Sequence, residues 1–367
     1  MNSTLLKPSL FGFTLKDLRA HLKANGFAQF AADQVYDWIY RKVEFEPLMW
    51  SNVAVKLREY LCSEMDLYMP QISWHGLSKD GTRKFLIKMR DGQTVETVAI
   101  PAYDRLTLCI SSQVGCAIGC TFCHTGTMGL KRHLTPDEIV GQYMTVKKFL
   151  RDEMGPDAKI TNIVYMGQGE PLHNFENVKT ATLIFMENKG IYLGQRKITL
   201  STSGLVPQIE KLNDFPPVNL AISLHAAHDN IRTELMPINK VYDLNRLFKA
   251  IKSIHLKAHR SITYEYILIE GLNDRQEDVD ALLDLLNVKE SKVNIIPFND
   301  YPGSKFKKPS REKIMWFRDQ LNDRDLVCTV RTTKGEDILA ACGQLKSFVE
   351  SGKTNDVKLN LWNQEIL

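Results

Sequence analysis

The 367-residue sequence lacks the features of a membrane-spanning or disulfide-stabilised secreted protein. No apolar run approaches the length of about 18 residues that a membrane-spanning helix needs. Cysteine is sparse and odd in number, at seven, and no basic and apolar leader precedes Phe11. Both observations argue against a secreted disulfide framework. We therefore expect a cytoplasmic protein with reduced thiols and no contact with a membrane.

An excess of charge of one sign is also missing. Lys and Arg number 47 and Asp and Glu 43, which leaves a formal net charge of +4. That balance neither indicates nor excludes a nucleic-acid partner. The hydrophobic fraction of 44% and the charged fraction of 25% are ordinary for a globular protein and argue against disorder. The length allows two domains, or one large α/β barrel with an appendage.

The first part of the chain predicts a small helical module over residues 1–75. Leu18, Leu22 and Phe27 recur at roughly helical spacing, and Val35 and Ile39 continue the pattern. Its basic residues could be an RNA-binding face or an ordinary solvated surface, and the composition does not decide between them. They are Lys16, Arg19, Lys23, Arg41, Lys42, Lys56 and Arg58. A β-hairpin is predicted within a linker at 76–101, because Asp91-Gly92 separates two strand-like runs.

From residue 102 the pattern alternates between strands and helices, which is typical of parallel βαβ units. The strands have one apolar and one polar face, as Leu106 and Leu108 show against Thr107 and Cys109. Strands of a doubly wound sheet should be apolar on both faces. We therefore expect a partial barrel with helices outside and a polar lumen. The predicted strands are 105–111, 161–167, 196–202, 217–224, 262–269, 292–298 and 326–332. The predicted helices include 135–150, 243–254, 275–287 and 310–322.

Three cysteines follow the first predicted barrel strand directly. Cys116, Cys120 and Cys123 have the spacing C-x-x-x-C-x-x-C, on a loop that contains glycine. Thiolates are the ligands of iron–sulfur clusters, and three of them leave one iron of a four-iron cluster open. The alternative is a zinc site completed by His124 or His133, although structural zinc usually takes two separated pairs of ligands.

With aromatic Phe122 before its last cysteine, this motif resembles the radical S-adenosylmethionine (SAM) superfamily. Gly167-Gln168-Gly169-Glu170-Pro171 after the second strand and Glu270-Gly-Leu-Asn-Asp274 after the fifth are similar to elements of that superfamily. The resemblance implies a partial (β/α)6 radical SAM barrel. It also implies one 4Fe-4S cluster, held by the three cysteines and completed by exchangeable SAM.

A closer resemblance, to the RlmN/Cfr family of RNA methyltransferases, covers nearly the whole chain. It rests on seven short motifs in register: Val95–Val98, Cys109–Cys116, Ser201–Gly204, Ser223–His225, Met236–Asn239, Pro297–Asn299 and Ala341–Leu345. The module at 1–75, the Glu96-Thr-Val-Ala-Ile-Pro segment and the chain length favour the RlmN branch. The implied organisation is an accessory RNA-binding domain at 1–75, the linker, a core at 102–345 and a tail at 346–367.

The family resemblance implies methylation of adenosine C2 in 23S rRNA and tRNA, with two SAM molecules consumed per turnover. One SAM methylates Cys342. The second gives a 5′-deoxyadenosyl radical that activates the methyl group, so that an RNA–protein adduct forms through Cys342. Cys109 then resolves the adduct by forming a transient disulfide with Cys342, and Glu96 accepts a proton. The SAM-binding residues implied are Gly169, Glu170, Ser201, Ser223, Leu224, His225 and Asn299.

Taken singly, several of these residues have ordinary alternatives. Cys109 alone could be a small buried residue, His225 a core histidine and Glu96 a solvated carboxylate. Two other functions stay open, namely C8 methylation of rRNA adenosine and RNA binding by a non-catalytic zinc protein. The family resemblance further implies a flavodoxin or ferredoxin as electron donor, and we expect a monomer. Basic segments at Lys131-Arg132 and 305–313 are further candidates for phosphate contacts.

Overall fold

The computed structural model describes residues 7–256, 260–299, 304–338 and 340. Its strands are β1 (Gln71–Leu77), β2 (Arg83–Lys88), β3 (Thr94–Ala102), β4 (Arg105–Cys109), β5 (Gln113–Gly115), β6 (Leu130–His133), β7 (Asn162–Tyr165), β8 (Ile198–Thr202), β9 (Asn219–Ser223), β10 (Ile262–Leu268), β11 (Ser291–Pro297) and β12 (Cys328–Val330). Its helices are α1 (Leu15–Ala24), α2 (Ala31–Tyr36), α3 (Val55–Glu64), α4 (Pro136–Met154), α5 (Phe175–Met186), α6 (Val206–Ile209), α7 (Asp229–Leu235), α8 (Leu244–Lys252), α9 (Gln276–Leu285) and α10 (Arg311–Asn322).

Ten of these strands form one sheet in the order β1-β2-β3-β4-β7-β8-β9-β10-β11-β12. Strands β1 to β4 pair antiparallel, and β4 and β7 to β12 pair parallel. All seven predicted barrel strands are therefore confirmed, as are the four predicted helices. The sequence reading missed β1, the small β5–β6 sheet, and the helices α5, α6 and α7.

The polar and apolar faces of the parallel strands separate as predicted. Leu108 on β4, Leu200 on β8 and Ile222 on β9 are buried in one large core together with residues of the surrounding helices. Ser201 and Glu265 face the other side of the sheet and are also buried. Polar side chains that are buried on the side away from the helices indicate an enclosed lumen.

The sheet curls strongly enough to bring distant strands together. Ile100 at the end of β3 and Ile296 on β11 line the same small cavity, although six strand positions separate β3 from β11. A flat sheet would keep them about 29 Å apart at about 4.8 Å per strand. The chain after β12 also reaches back to the β1–β2 turn, where Ser78 Oγ donates to Asp337 at 2.5 Å. The fold is thus a partial barrel.

The N-terminal helices pack onto the outside of the barrel. Thr14 caps α1 by accepting a hydrogen bond from the Asp17 amide, and Leu15, Leu18 and Leu22 form one buried stripe. Helix α2 continues as a π-helical segment over Asp37–Lys42. Its end is tied to the barrel, because Lys147 on α4 donates to the Tyr40 carbonyl at 2.7 Å.

The predicted hairpin forms as expected, with β2 and β3 joined through a turn in which Gly92 has φ +83°. Both strands belong to the main sheet, and β1 begins at Gln71, within the segment predicted as helical. Strand β1 is mostly exposed, and the alternation of Ile72 and Trp74 with Gln71, Ser73 and His75 was overlooked in the sequence. The domain limits at 75, 101 and 345 stay predictions.

None of the helices in the described ranges is both long and apolar enough to span a bilayer.

Candidate active site

The predicted site residues collect at the carboxyl ends of the parallel strands. Cys109 ends β4, Glu170 follows β7, Ser201 lies near the end of β8, Ser223 ends β9 and Asn299 follows β11. This is the edge at which α/β barrels hold their active sites. The β4 and β7 ends are joined directly, since the Gly167 amide donates to the Ile110 carbonyl at 3.0 Å.

The three motif cysteines lie on the loop between β5 and β6. The Cys116 amide donates to the Gly129 carbonyl at 3.0 Å, and the Cys123 amide donates to the Cys120 carbonyl at 3.1 Å. Phe122 between the last two cysteines is buried in an apolar cluster with Leu235 of α7. The loop is therefore a folded element with both of its ends anchored.

Two glycines shape this loop, and substituting them has different expected effects. Gly115 has φ +75°, and a Cβ there would overlap the Gly129 carbonyl oxygen, whereas Gly119 has φ +71° and open space around it. We expect Gly115→Ala to lower the free energy of unfolding by more than about 3 kcal/mol and to reduce bound iron. Gly119→Ala should cost only about 1–2 kcal/mol from its backbone conformation. Urea unfolding and iron analysis of both variants check this, and equal effects would contradict it.

Burial and neighbouring charges raise the pKa values of the Cys116 and Cys120 thiols. Burial raises the pKa of Cys116 to about 12, and the nearby Glu170 carboxylate and then the Cys123 thiol add to the rise. Burial, followed by the neighbouring Cys123 and Cys116, also raises the pKa of Cys120 well above its ordinary value. Cys116 and Cys120 therefore need a nearby cation to become thiolates together, and bound iron would provide that charge. The residues present therefore fit an iron–sulfur cluster.

The same residues do not fit a single metal ion. Within the described ranges, no three His, Cys, Asp or Glu side chains converge closely enough to hold one ion. In a cluster each thiolate binds a different iron, so the thiols need not converge on one point. His133 Nδ1 lies 2.9 Å from Gln113 Nε2. The zinc alternative gains no support from this arrangement.

Glu170 joins the ends of β7 and β8. Its Oε2 accepts a hydrogen bond from the Ser203 amide at 2.7 Å, and its Oε1 accepts one from the Leu172 amide at 3.0 Å. Burial raises the pKa of this carboxyl, while the bonds from Ser203 and Leu172 oppose the rise. The adjacent Gly169 has φ +98°, and a Cβ there would press into the Gln113 side chain. The Gly169-Glu170 pair is thus held tightly at the lumen.

The strand ends beside Glu170 also carry the predicted Ser-Leu-His segment. The amides of Leu224 and His225 both donate to the Glu265 carbonyl. His225 has φ +61°, is buried, and accepts a bond from the Ile267 amide at Nδ1 over 3.0 Å. Burial lowers its pKa to about 3, so the ring is neutral. His225 is therefore a buried histidine whose Nδ1 has a hydrogen-bond partner, and it lies just after the end of β9.

Glu96 is fully buried on β3, and the alternative that it is a solvated carboxylate is wrong. The Lys84 ammonium on β2 lies 3.7 Å from Glu96 Oε2 and is itself buried. Burial lowers the pKa of Lys84, and Glu96 opposes that shift. Because β2 and β3 pair Leu86 with Glu96 and Lys84 with Val98, the two charges are diagonal neighbours on one face of the sheet.

Cys109 lies in a small buried cluster with Val98, Ile338 and Ala340. The last two belong to the segment after β12, immediately before the predicted methyl carrier. Cys342 itself lies outside the described residues. No disulfide joins any two of the six cysteines within the described ranges.

Asn299 is buried at the end of β11, and its Oδ1 accepts a bond from Thr333 Oγ1 at 3.1 Å. It lines the small cavity together with Arg331 and Ala340. The sequence reading missed three buried charged residues near the lumen: Lys84, Arg232 and Glu265. Lys84 and Glu265 lie in strands and Arg232 lies on a helix with polar neighbours. No sequence motif or spacing marks these three residues as buried.

Comparison with known proteins agrees with this geometry. The Radical SAM superfamily profile matches residues 110–286, and that of the Ribosomal RNA large subunit methyltransferase N-terminal domain matches 9–67. The crystal structure of a radical SAM methyltransferase from Sphaerobacter thermophilus superposes with a TM-score of 0.85 at 39% identity, over 92% of this chain and 99% of that one. The fold and the site therefore define a radical SAM methyltransferase, a class whose cofactors are a 4Fe-4S cluster and SAM.

Proteins named "Dual-specificity RNA methyltransferase RlmN" match over almost the full length. The one from Magnetococcus marinus is 43% identical over 89% of this chain and 91% of its own length. The one from Syntrophotalea carbinolica is 44% identical over 92% and 89%. The chain belongs to the RlmN family of RNA methyltransferases.

Proposed function

We propose that this protein methylates C2 of adenosine in both 23S rRNA and tRNA, through a methylated Cys342. The names of its relatives, which describe dual-specificity RNA methyltransferases, support two kinds of RNA substrate. Cys116, Cys120 and Cys123 would hold the 4Fe-4S cluster, which supplies the electron for reductive cleavage of SAM when bound. We infer a flavodoxin- or ferredoxin-type electron donor and action as a monomer in the cytoplasm.

One observation carries the proposal, namely the position of Cys109. Its side chain is buried with Ile338 and Ala340, and Cys342 follows Ala340 by two residues in the sequence. Two residues of chain span at most about 7 Å. Because Ala340 packs with Cys109, the short stretch of chain from Ala340 to Cys342 supports the pairing of a methyl-carrying Cys342 with a resolving Cys109. Neither simple RNA binding nor polar methyl transfer requires such a pair of cysteines.

SAM would be held by the polar residues at the strand ends. Gly169, Glu170, Ser201, the 223–225 segment and Asn299 belong to strands or loops that end at the same mouth of the barrel. The Glu170 carboxylate already accepts hydrogen bonds from two backbone amides, so its orientation is fixed before any ligand binds. Preorganised polar groups of this kind lower the cost of ordering a ligand.

Glu96 would accept the proton that leaves adenine C2. The Lys84 ammonium 3.7 Å away favours a negatively charged Glu96, which is the form that takes up a proton. Both side chains are shielded from water. Shielding strengthens the electrostatic influence of one on the other.

The regiochemistry is tested by anaerobic turnover with methyl-labelled SAM on 23S rRNA and on tRNA, followed by mass spectrometry of the nucleosides. We expect 2-methyladenosine from both RNAs. A main product of 8-methyladenosine would overturn the C2 assignment, and labelling of only one RNA would overturn dual specificity.

The N-terminal module is proposed to contact RNA phosphates through α1. Lys16 and Lys23 are exposed there, whereas Arg19 is already bonded to Asp33 at 2.6 and 3.0 Å. We expect the double change Lys16→Glu and Lys23→Glu to weaken tRNA binding and to reduce its salt dependence. Each lost phosphate contact should lower the slope of log K against log salt by about 0.7–0.9.

The matched control reverses two exposed lysines on α8, Lys249→Glu and Lys252→Glu, which changes the net charge equally. Filter binding over a salt series separates the two pairs. Equal losses would show a general charge effect, and unchanged binding of the α1 variant would remove this module from the RNA face.

A further inference from the structure

Arg232 on α7 is completely buried beside the proposed cofactor site. Its Nε donates to the Leu224 carbonyl at 3.1 Å, and its Nη2 donates to the carbonyls of Ser203 at 2.8 Å and Ser223 at 3.3 Å. Its Nη1 donates to Asn239 Oδ1 at 2.7 Å. One guanidinium thus connects the ends of β8 and β9 with the loop after α7.

The charge of Arg232 has no anion in direct contact among the described residues. Each acceptor just named is a neutral oxygen. Asp229 is reached only through Asn239, whose Nδ2 donates to Asp229 Oδ1 at 2.8 Å. Burial lowers the pKa of Arg232 to about 10, which still leaves it charged at neutral pH. A buried cation without a contacting anion is costly, so a further anion close by would stabilise it.

The cysteine loop is docked against the helix that carries Arg232. The Thr121 amide donates to the Leu235 carbonyl at 2.9 Å, and Thr121 Oγ1 donates to the Glu234 carbonyl at 3.0 Å. Phe122 packs against the same helix. Arg232 lies three residues before Leu235, about one helical turn, so its buried charge belongs to the helix that supports the cysteine loop.

We propose that Arg232 is a positioning residue that raises the reduction potential of the cluster held by Cys116, Cys120 and Cys123. The inference rests on the proposed function, because it requires that cluster. Reduction adds one electron and makes the cluster more negative, and a fixed buried cation stabilises that state relative to the oxidised one. Arg232 also donates to backbone carbonyls at the strand ends proposed to bind SAM. One side chain would therefore affect both the position of SAM and the reduction potential of the cluster.

The test is potentiometric titration of the full-length, anaerobically reconstituted protein, followed by electron paramagnetic resonance. For Arg232→Gln we expect at least a tenfold lower ratio of reduced to oxidised cluster at a given potential, a shift of about −59 mV. Arg232→Lys keeps the charge and should restore most of the potential. Asp229→Asn removes the nearby negative charge and should shift the potential upward.

The matched control is Arg246→Gln, which removes an exposed arginine on α8 that donates to the Val241 carbonyl. Its potential should equal that of the wild type. Unchanged potential in Arg232→Gln, or equal downward shifts in the Gln and Lys variants, would overturn the inference. If Arg232→Gln does not retain the cluster, Asp229→Asn decides, and an absent upward shift overturns it. A wild-type protein without a four-iron cluster would instead overturn the proposed function.

Discussion

Replacing Cys120 with alanine should remove both the cluster and methyl transfer. Cys120 is the middle one of the three proposed ligands, and its carbonyl accepts a hydrogen bond from the Cys123 amide at 3.1 Å. If the three cysteines are the only protein ligands, as proposed, the variant would hold the cluster by two thiolates alone, and the cluster should be lost. We expect iron to fall from about four atoms per chain to less than one. Iron analysis, visible absorption and single-turnover methylation of tRNA measure the change.

Two cysteine variants serve as controls for this experiment. Cys62→Ala changes an exposed cysteine on α3, and Cys328→Ala changes a buried one on β12. Both should keep their iron and activity, because neither lies on the cysteine loop. A Cys120→Ala protein with full iron content would contradict the ligand assignment. Wild-type protein that is colourless and holds one zinc would support the non-catalytic alternative instead.

Replacing Cys109 with alanine should trap the RNA on the protein. The proposed adduct joins the RNA to the protein through the methyl-derived carbon on the sulfur of Cys342, and the Cys109 thiolate would attack that sulfur. The new S–S bond forms as the C–S bond breaks, and the electron pair of that bond passes to the methylene carbon, which takes up a proton to become the methyl group of the RNA product. Without Cys109 the adduct has no resolving thiol. We expect radiolabelled RNA to migrate with the protein on a denaturing gel after anaerobic reaction.

The position of Cys109 allows a well-matched control. Cys328 is equally buried, and Cys328→Ala removes the same buried sulfur atom from β12, away from the proposed site. It should release methylated RNA normally. The double variant Cys109→Ala and Cys342→Ala should form no adduct, which identifies Cys342 as the attachment point. Release of methylated RNA at the normal rate by Cys109→Ala would refute the resolving role.

The strand pattern was predictable because local sequence reports which face of a strand is buried. The alternation of Leu106 and Leu108 with Thr107 and Cys109 survives in the structure, with the leucines under the helices. Strand β1 was missed although Ile72 and Trp74 alternate with polar neighbours, because the helical module was extended to residue 75. The local pattern also failed to predict the burial of Glu96, which taken singly suggested a solvated carboxylate on a hairpin strand.

The sequence by itself determined the cysteine spacing, the order of strands and helices, and the motifs that define the family. Tertiary structure alone decided which charges are buried together. Lys84 approaches Glu96 because strand register places them diagonally, and Arg232 on α7, the helix that contacts the cysteine loop, donates to carbonyls at the ends of β8 and β9. The Arg232 bond to Ser203 spans 29 residues and the Thr121 bond to Glu234 spans 113, which is beyond the reach of a local sequence pattern. The closing of the barrel creates the shielded interior in which such charges act on one another.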